Sequence, residues 1–307
     1  MINNYKDNRN KFSFRYWVLR TILQLMAYIP LWLGHVLGNF LGLIALQLPI
    51  SRKAVSIENI QNSLGTSMTR AEVLKLNRMI YLHFGRMVFE IPHLLRMNKD
   101  NIKKYFAVEG EENLKMAFKN GRGVLALTGH IGNWELLAVA LHVLYGPIAA
   151  VARPSRNPAL NRLINDLRSR LGMELIPKQH GMRKIITALN KNRLVGILLD
   201  QNVDWYEGEF VPFLNRTACA NKGLALLALK TGTPVVPIFS IKQPDGKYKI
   251  HIDKPVELIR TNDKTIDVEK NTALFTKIID SQVRKHPEQW FWFHRRWKTK
   301  NYCPLDR

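Results

Sequence analysis

One stretch of the chain constrains its fold more than any other, the run that begins at Gly123 and ends at Glu135. Its first part, Val124–Thr128, is a continuous apolar segment, which predicts a strand buried on both faces. His130 follows between two glycines, whose conformational freedom allows a sharp turn. Glu135 then falls in the first turn of a helix predicted over 133–144. The sequence therefore predicts a strand, a tight turn and a helix in direct succession.

The predicted turn can bring a histidine and a carboxylate together. On one continuous helix His130 and Glu135 would lie about 140° apart and would not meet; across a turn, the imidazole can fold back against the carboxylate. Such a pair can remove a proton from a hydroxyl. Most histidine–carboxylate pairs are surface or packing contacts, but this one follows a predicted central strand at the end where open α/β sheets bind ligands. The helix N-terminus at Gly132–Asn133 offers N–H groups to negative charge that develops there.

Strands and helices alternate along the rest of the chain. Strands are predicted at 124–128, 148–152, 194–199, 234–240 and, as an edge strand, 248–252; helices are predicted at 111–120, 133–144, 158–171, 182–190, 218–230 and 275–286. A capping box at Thr69–Glu72 precedes a further helix, whose apolar stripe from Val73 to Phe84 faces the core. The pattern predicts an α/β fold, a mixed central sheet flanked by helices.

The N-terminal region contains no charged side chain between residues 21 and 50. As a helix this segment would be about 45 Å long, more than the ~30 Å hydrocarbon core of a bilayer. Pro30 predicts a break or kink, and Gly34, Gly38 and Gly42 leave a smooth groove for another helix or an acyl chain. A cleaved signal peptide is disfavoured, because the apolar run is too long and no small-residue cleavage site follows it. We favour a membrane anchor, either spanning or half-inserted, and a buried hairpin is the alternative. The chain then divides into a tail and anchor (1–50) and a main domain (51–307).

The formal net charge is +22, from 46 basic and 24 acidic side chains. This excess predicts a polyanionic partner, which can be a nucleic acid, an anionic lipid or an acidic protein. The two cysteines, Cys219 and Cys303, are far apart and predict no disulfide framework, so a reducing compartment is favoured. The spacing of histidines and cysteines predicts no metal site.

Other candidate binding residues follow the predicted strands. Arg153 leaves the second strand beside the expected position of His130, where a guanidinium can hold a phosphate, although a solvated loop arginine is equally compatible. Arg170 is more ambiguous, and Asp200 ends the third strand as a site residue or a turn cap. Backbone N–H groups of the 209–215 loop, together with Arg216, can cradle an anion.

The segment 287–298 combines five aromatic side chains with basic ones. Three interpretations are open: an interfacial belt with Arg295, Arg296 and Lys298 near phosphates, base stacking on a nucleic acid, or packing of the rings on the core.

Several motifs occur in one order: an uncharged N-terminal segment, TGHIGNWE at 128–135, ARPSRNP at 152–158, DQ at 200–201, FVPF at 210–213, TGTPVVP at 231–237 and the segment 287–298. Together they resemble the late acyltransferases of lipid A biosynthesis, the lauroyl and myristoyl transferases of Gram-negative bacteria. The resemblance extends over nearly the whole chain. It departs from the family at Asn215, where glycine is usual, and at Ala220, where threonine is common.

The resemblance implies a glycerol-3-phosphate-acyltransferase-like fold at the cytoplasmic face of the bacterial inner membrane, anchored by residues 21–50. It implies a catalytic His130–Glu135 dyad without cofactor or metal. The donor would be acyl carrier protein loaded with a fatty acyl chain, and the acceptor a hydroxyl of a phosphorylated glycolipid, a lipid A precursor. Substrate-binding roles are expected for Arg153, Asn133, Arg170, Asp200 and Arg216.

Two alternatives remain at this point. A membrane acyltransferase acting on another lipid, such as a lysophospholipid, would share the dyad. A non-catalytic, membrane-tethered nucleic-acid-binding protein would bind DNA or RNA with a steep salt dependence. The second is disfavoured because the basic and aromatic residues lie beside apolar runs and form no recognised nucleic-acid module.

Overall fold

The computed structural model describes residues 2–48, 51–65, 68–152, 162–163, 173–177 and 181–300, without the side chains of residues 2–13 and 51. The helices are α1 (Ile2–Met26), α2 (Leu31–Gln47), α3 (Ser51–Leu64), α4 (Arg70–Glu90), α5 (Glu111–Phe118), α6 (Trp134–Tyr145), α7 (Met182–Asn190), α8 (Gly223–Thr231) and α9 (Lys264–Lys285). The strands are β1 (Phe106–Glu109), β2 (Val124–Thr128), β3 (Ile148–Ala152), β4 (Glu174–Pro177), β5 (Leu194–Leu198), β6 (Gly208–Phe213), β7 (Arg216–Asn221), β8 (Val235–Lys242) and β9 (Tyr248–Ile252). Short 3₁₀ helices lie at Ile91–Arg96, Ile102–Lys104, Trp205–Glu207 and Pro287–Gln289.

In the described part of the chain, seven strands form one mixed sheet in the order β1-β9-β8-β2-β5-β3-β4. The strands from β8 to β4 are mutually parallel, whereas β9 is antiparallel to β8 and β1 is parallel to β9. The predicted α/β class and mixed sheet are therefore confirmed. The prediction that β9 is an edge strand is wrong, because β1, a four-residue strand with no clear apolar run, pairs with its outer side.

The central strand β2 is apolar throughout because it is covered on both faces. Leu125 and Leu127 point into a core formed with α3, α4, α7, α8 and α9. Val124 and Ala126 point the other way, into a core formed with α5 and α6. Two hydrophobic layers thus hold the strand that precedes His130.

The other local predictions have mixed outcomes. The capping box is present, since the Thr69 side chain accepts from the Glu72 backbone and the Glu72 carboxylate accepts from the Thr69 N–H. The prediction of a helix over 218–230 is wrong in its first part, because 216–221 is the strand β7 and the helix α8 begins at Gly223. Leu214 and Asn215 both have positive φ, so they form a turn that pairs β7 with β6. Of the helix predicted over 158–171, only residues 162–163 are described.

The uncharged N-terminal segment is broken at Pro30, as predicted, and α2 packs along α4. Gly38 and Gly42 are buried in this contact, and Gly85 of α4 faces them. A Cβ atom on Gly42 would lie 2.4 Å from the carbonyl oxygen of Tyr81, so only glycine allows the two backbones to approach so closely. The groove predicted from the glycine spacing is therefore occupied by another helix.

Among the described residues, no single helix is long and apolar enough to cross a membrane. Leu31–Gln47 and Arg52–Leu64 meet the length and composition criterion only together, as a pair bent by 90°.

We expect Gly38→Ala to destabilise the packing of α2 against α4. The added Cβ would lie 2.5 Å from the Cα atom of Arg86, and overpacking of this kind costs about 1–3 kcal/mol. Gly34→Ala is the matched control on the same helix face, because its nearest neighbour is a side-chain atom of Phe89 at 3.3 Å. Urea unfolding should show a loss for the first variant and little change for the second; equal stabilities would contradict the packing.

Candidate active site

The pairing of β2 with β5 brings His130 and Asp200 together. The two strands are parallel neighbours, and Thr128 is in register with Leu198. His130 and Asp200 each lie two positions beyond these residues, so both emerge at the same carboxyl edge of the sheet. Register, rather than proximity in the sequence, therefore creates the pair.

The loop between β2 and α6 depends on two glycines. Gly132 has a φ of 60°, and a Cβ atom there would lie 1.7 Å from the carbonyl oxygen of Ser240. A Cβ atom on Gly129 would lie 3.3 Å from the carboxyl carbon of Asp200. The first glycine position is needed for conformation and space, and the second lets the loop approach Asp200 closely.

Three hydrogen bonds fix Asp200 against the histidine loop. Its Oδ1 lies 2.7 Å from Nδ1 of His130, and its Oδ2 accepts from the backbone N–H of the same residue at 2.7 Å. Oδ2 also accepts from the indole N–H of Trp290 at 2.8 Å. Because a carboxylate can only accept, the proton of the neutral imidazole is on Nδ1, and Nε2 carries the lone pair.

Asp200 is buried, yet it is held in its charged form. Burial opposes ionisation, but the electrostatic interaction with His130 and the hydrogen bonds from His130 and Trp290 outweigh it and lower the pKa of Asp200 to about 2. The site therefore contains a permanent negative charge beneath the imidazole, which stabilises an imidazolium when one forms.

The imidazole is partly exposed, and polar and aromatic side chains surround it. The Gln201 amide donates to Nε2 at 3.1 Å, and 18% of the His130 side chain is exposed. The ring centroids of Trp134 and Phe291 lie 4.9 Å and 6.2 Å from that of the imidazole. The nitrogen that can accept a proton is thus the one directed away from the buried carboxylate.

The structure gives the neighbouring predicted residues different positions. Glu135 lies in the first turn of α6 and is partly exposed; the carboxylate on Nδ1 of His130 is that of Asp200, and a Glu135–His130 pair stays a prediction. Asn133 is fully buried as the N-cap of α6, with its Oδ1 accepting from the Leu136 N–H. The Gly132 N–H, predicted to face a ligand, donates to the carbonyl of Gln289 at 3.0 Å.

The predicted anion cradle at the 209–215 loop is a hairpin whose donors are used within the protein. The Leu214 N–H donates to Asp280 at 2.6 Å, and the β6 and β7 backbones pair with each other. The guanidinium of Arg216 lies 4.3 Å from the centroid of the Trp297 ring, and Lys222 pairs with Glu209 at 3.1 Å. Binding of a substrate by Arg216 stays a prediction.

Arg153 and Arg170 lie outside the described residues, and their roles stay predictions. The strand β3, which precedes Arg153, is not a direct neighbour of β2, because β5 lies between them. The reason is that neighbours in the sequence need not be neighbours in a parallel sheet.

The aromatic C-terminal segment packs on the core, the third of the interpretations above. Trp290, Trp292 and Arg296 are almost completely buried, whereas Arg295 and Lys298 are exposed. Burial lowers the pKa of Arg296 to about 10, although Asp200 acts in the opposite direction. The segment also pairs with the loop that carries His130, because the Phe291 N–H donates to the His130 carbonyl. It therefore contacts both His130 and Asp200 from within the protein and does not form a belt of exposed tryptophans.

Sequence reasoning missed Gln201 and Trp290 as members of the site. Gln201 directly follows Asp200 at a strand end, which was a usable signal. Trp290 offered none, since its indole reaches Asp200 only after the C-terminal segment folds back over a separation of 90 residues.

Comparisons with known proteins identify a family and several similar chains. The model of the family described as bacterial lipid A biosynthesis acyltransferase matches residues 6–299. A lipid A biosynthesis palmitoleoyltransferase of Escherichia coli K12 is 25% identical over 308 residues, 98% of this chain and 97% of that protein. A lipid A biosynthesis lauroyltransferase of the same organism is 27% identical over 290 residues, 93% of each chain. The crystal structure of the 1-acyl-sn-glycerophosphate acyltransferase PlsC from Thermotoga maritima matches with a TM-score of 0.37 and 15% identity, over 76% of this chain and 97% of that one.

The chain is an acyltransferase, as the family match shows. Its α/β fold and the histidine at the carboxyl end of the central strand β2 are consistent with this class. More narrowly, it belongs to the bacterial lipid A biosynthesis acyltransferase family, and the family predicted from the motifs is confirmed.

We expect the stability provided by Asp200 to depend on pH. Its folded pKa of about 2 is below the ordinary value of 3.8, so the contribution is present above about pH 4 and is lost as the pH falls through 2. For this buried group the shift corresponds to about 2 kcal/mol. The difference in unfolding free energy between wild type and Asp200→Asn should therefore shrink as the pH falls from about 5 to 2.

Urea unfolding at several pH values measures this difference. Asp100→Asn, which changes an exposed carboxylate, is the control and should follow the wild type. A gap between wild type and Asp200→Asn that stays constant with pH would contradict the ionised state of Asp200.

Proposed function

We propose that the protein transfers a fatty acyl chain from acyl carrier protein to a hydroxyl of a lipid A precursor, with His130 as general base. The observation that carries this proposal is the His130–Asp200 pair, whose 2.7 Å hydrogen bond leaves Nε2 unprotonated and directed away from the buried carboxylate. Membership of the lipid A acyltransferase family supports the reaction class.

The proposed chemistry needs no covalent enzyme intermediate. His130 Nε2 takes the proton of the acceptor hydroxyl while the oxygen attacks the carbonyl carbon of the acyl thioester. The carbon–sulfur bond then breaks, an ester forms, and the thiolate of the carrier takes the proton from the imidazolium. Asp200 stabilises that imidazolium through Nδ1. General-base assistance of this kind is worth about 10²–10⁴-fold.

Charge supports the proposed substrates. The chain carries a formal charge of +22, and both an acidic carrier protein and a phosphorylated glycolipid would be attracted to it. Arg153, Arg170 and Arg216 remain our candidates for contacts with the acceptor phosphates, because guanidinium groups bind phosphate in a bidentate manner.

A membrane-bound acceptor requires a surface that meets lipid, and α1 and α2 provide a candidate. Large apolar side chains there are more than half exposed, namely Phe14, Trp17, Leu25, Tyr28, Trp32, Val36 and Phe40. Exposed apolar area of this extent marks an interaction surface. Arg20 lies 4.9 Å from the Trp17 ring and Arg96 lies 4.5 Å from the Tyr28 ring, so cations stand beside the aromatic side chains, as at lipid headgroups. We propose that this surface lies on the cytoplasmic face of the bacterial inner membrane.

Acyl transfer tests the function directly. Membranes that contain a lipid A precursor are incubated with acyl-carrier-protein thioesters of several chain lengths, and the products are weighed by mass spectrometry. Wild type should add the mass of an acyl chain. His130→Ala and Asp200→Asn should lower kcat by about 10²–10⁴-fold, since the base or its orienting carboxylate is lost.

Glu135→Gln tests the second carboxylate of the predicted dyad and should also lower kcat. An unchanged rate would restrict the catalytic pair to His130 and Asp200.

A parallel reaction with a lysophospholipid acceptor identifies the alternative specificity. Full activity of His130→Ala would contradict the mechanism, and the absence of transfer by wild type to either acceptor would contradict the function.

We expect Trp32→Ser combined with Phe40→Ser to weaken binding to vesicles that contain phosphatidylglycerol. Burial of each ring in lipid contributes about 1.5–3 kcal/mol, so the partition coefficient should fall at least tenfold. Sedimentation with vesicles measures it. Trp205→Ser is the control, because Trp205 is as exposed as Trp32 (65% and 69%) but lies outside α1 and α2. An equal loss for the control would contradict the assignment of this surface.

A further inference from the structure

A second buried carboxylate, Glu90, lies close to the catalytic loop. It is the last residue of α4, and it is 2% exposed. Its Oε1 accepts from Lys242 of β8 and lies 2.9 Å from Nε2 of His35 of α2. Its Oε2 accepts from the Tyr248 hydroxyl at 2.6 Å and from the Asn133 amide at 3.1 Å. Four separate segments of the chain therefore meet at one side chain.

This cluster is charged in spite of its burial. Burial opposes ionisation of Glu90, but His35, Lys242 and Tyr248 hold the pKa of its carboxyl group well below the ordinary value. Lys242 is also buried, and its pKa is lowered by that burial, against the effect of Glu90. Groups of this kind are costly to bury and are kept only when each polar atom has a partner.

One arm of the cluster ends at Asn133, three residues after His130. The Asn133 side chain caps α6 through Oδ1 while its Nδ2 donates to Glu90. Between Asn133 and the histidine, the Gly132 carbonyl faces Nε2 of His83 at 3.3 Å. Burial lowers the pKa of His83 to about 4, so this ring is neutral and can donate a hydrogen bond from Nε2 to the carbonyl.

A second arm reaches the same loop through the backbone. The Gln289 side chain accepts from the Lys242 N–H at 2.8 Å and donates to the Lys242 carbonyl at 3.1 Å. The Gln289 carbonyl in turn accepts from the Gly132 N–H. Both arms therefore hold Gly132 and Asn133, the residues that follow His130 in the loop.

We infer that Glu90 is a positioning residue of the acyltransfer site, which holds the His130 loop in register through Asn133 and Lys242. The inference rests on the proposed function for its kinetic readout. Glu90 touches no reacting atom, and its effect is exerted through the start of α6. A displacement of about 1 Å of a catalytic group can cost about 10²-fold in rate, so loss of this support should appear in kcat.

Glu90→Gln is the first test, with Glu109→Gln as the matched control on an exposed carboxylate that pairs with Lys249 at 3.1 Å. We expect Glu90→Gln to lower kcat by about 10–100-fold while the KM values for donor and acceptor stay within about twofold. The control should keep the wild-type kcat. A wild-type kcat for Glu90→Gln would overturn the inference.

Because Glu90→Gln leaves the Lys242 charge without its counter-ion, a rescue variant separates positioning from loss of the fold. Asn133→Asp keeps a good N-cap but places two carboxylates together. Glu90→Gln combined with Asn133→Asp restores the hydrogen bond with donor and acceptor exchanged and keeps the total charge. We expect each single variant to lose activity and the double variant to recover kcat to within about threefold of wild type. A double variant that melts like wild type but remains as slow as the single variants would overturn the inference.

A spectroscopic measurement separates this inference from the proposed function. In protein labelled with ¹⁵N-histidine, the Nδ1 proton of His130 reports its hydrogen bond to Asp200. We expect this resonance to shift or broaden in Glu90→Gln and to return in the double variant. If wild type transferred no acyl chain but the resonance behaved in this way, the proposed function would fail and the positioning role would stand. An unmoved resonance would remove the positioning role.

Discussion

The parallel pairing of β2 with β5 is the constraint on which the site depends. Thr128 is in register with Leu198, and this register alone sets the histidine and the aspartate that follow them at hydrogen-bonding distance. A shift by one residue would turn the apolar side chains of β2 into the wrong core and separate the two groups. The hydrophobic layers on both faces of the sheet therefore stabilise the geometry of the His130–Asp200 pair as well as the fold.

Two buried carboxylates hold the loop after β2, one near its start and one at its end. Asp200 binds the imidazole and the backbone at the start of the loop, and Glu90 binds the cap of the helix that follows. Each carboxylate accepts hydrogen bonds from distant segments of the chain, and these bonds compensate the cost of burying its charge. The loop between them is short and rich in glycine, a sequence that would have little preference for one conformation if these contacts were absent.

Local signals in the sequence predicted the local structure well. The apolar run of β2, the capping box at Thr69 and the break at Pro30 each depend on interactions between near neighbours, and all three are present in the structure. His130 was found for the same reason, since a glycine-flanked histidine after a buried strand is visible in a short window. The spacing of Gly38 and Gly42 predicted a groove but not which helix fills it.

Features set by the order of strands could not be predicted in this way. Asp200 was identified as a residue at a strand end, but its partner depended on β5 lying beside β2. The strand β7 was predicted as helix because its alanines favour helix locally, whereas pairing with β6 decides its conformation. Glu90 is the last residue of an amphipathic helix that carries several other charged residues. Nothing nearby in the sequence indicates that it is buried.

The indole of Trp290 donates to Asp200 from 90 residues further along the chain, and the backbone of Phe291 reaches back to the carbonyl of His130. During synthesis, the ribosome therefore makes the imidazole and its carboxylate long before it makes the segment that locks them in place. The N-terminal helices, with their apolar surface, emerge earlier still. A nascent chain thus exposes this apolar surface before the segment that contacts His130 and Asp200 has been synthesised.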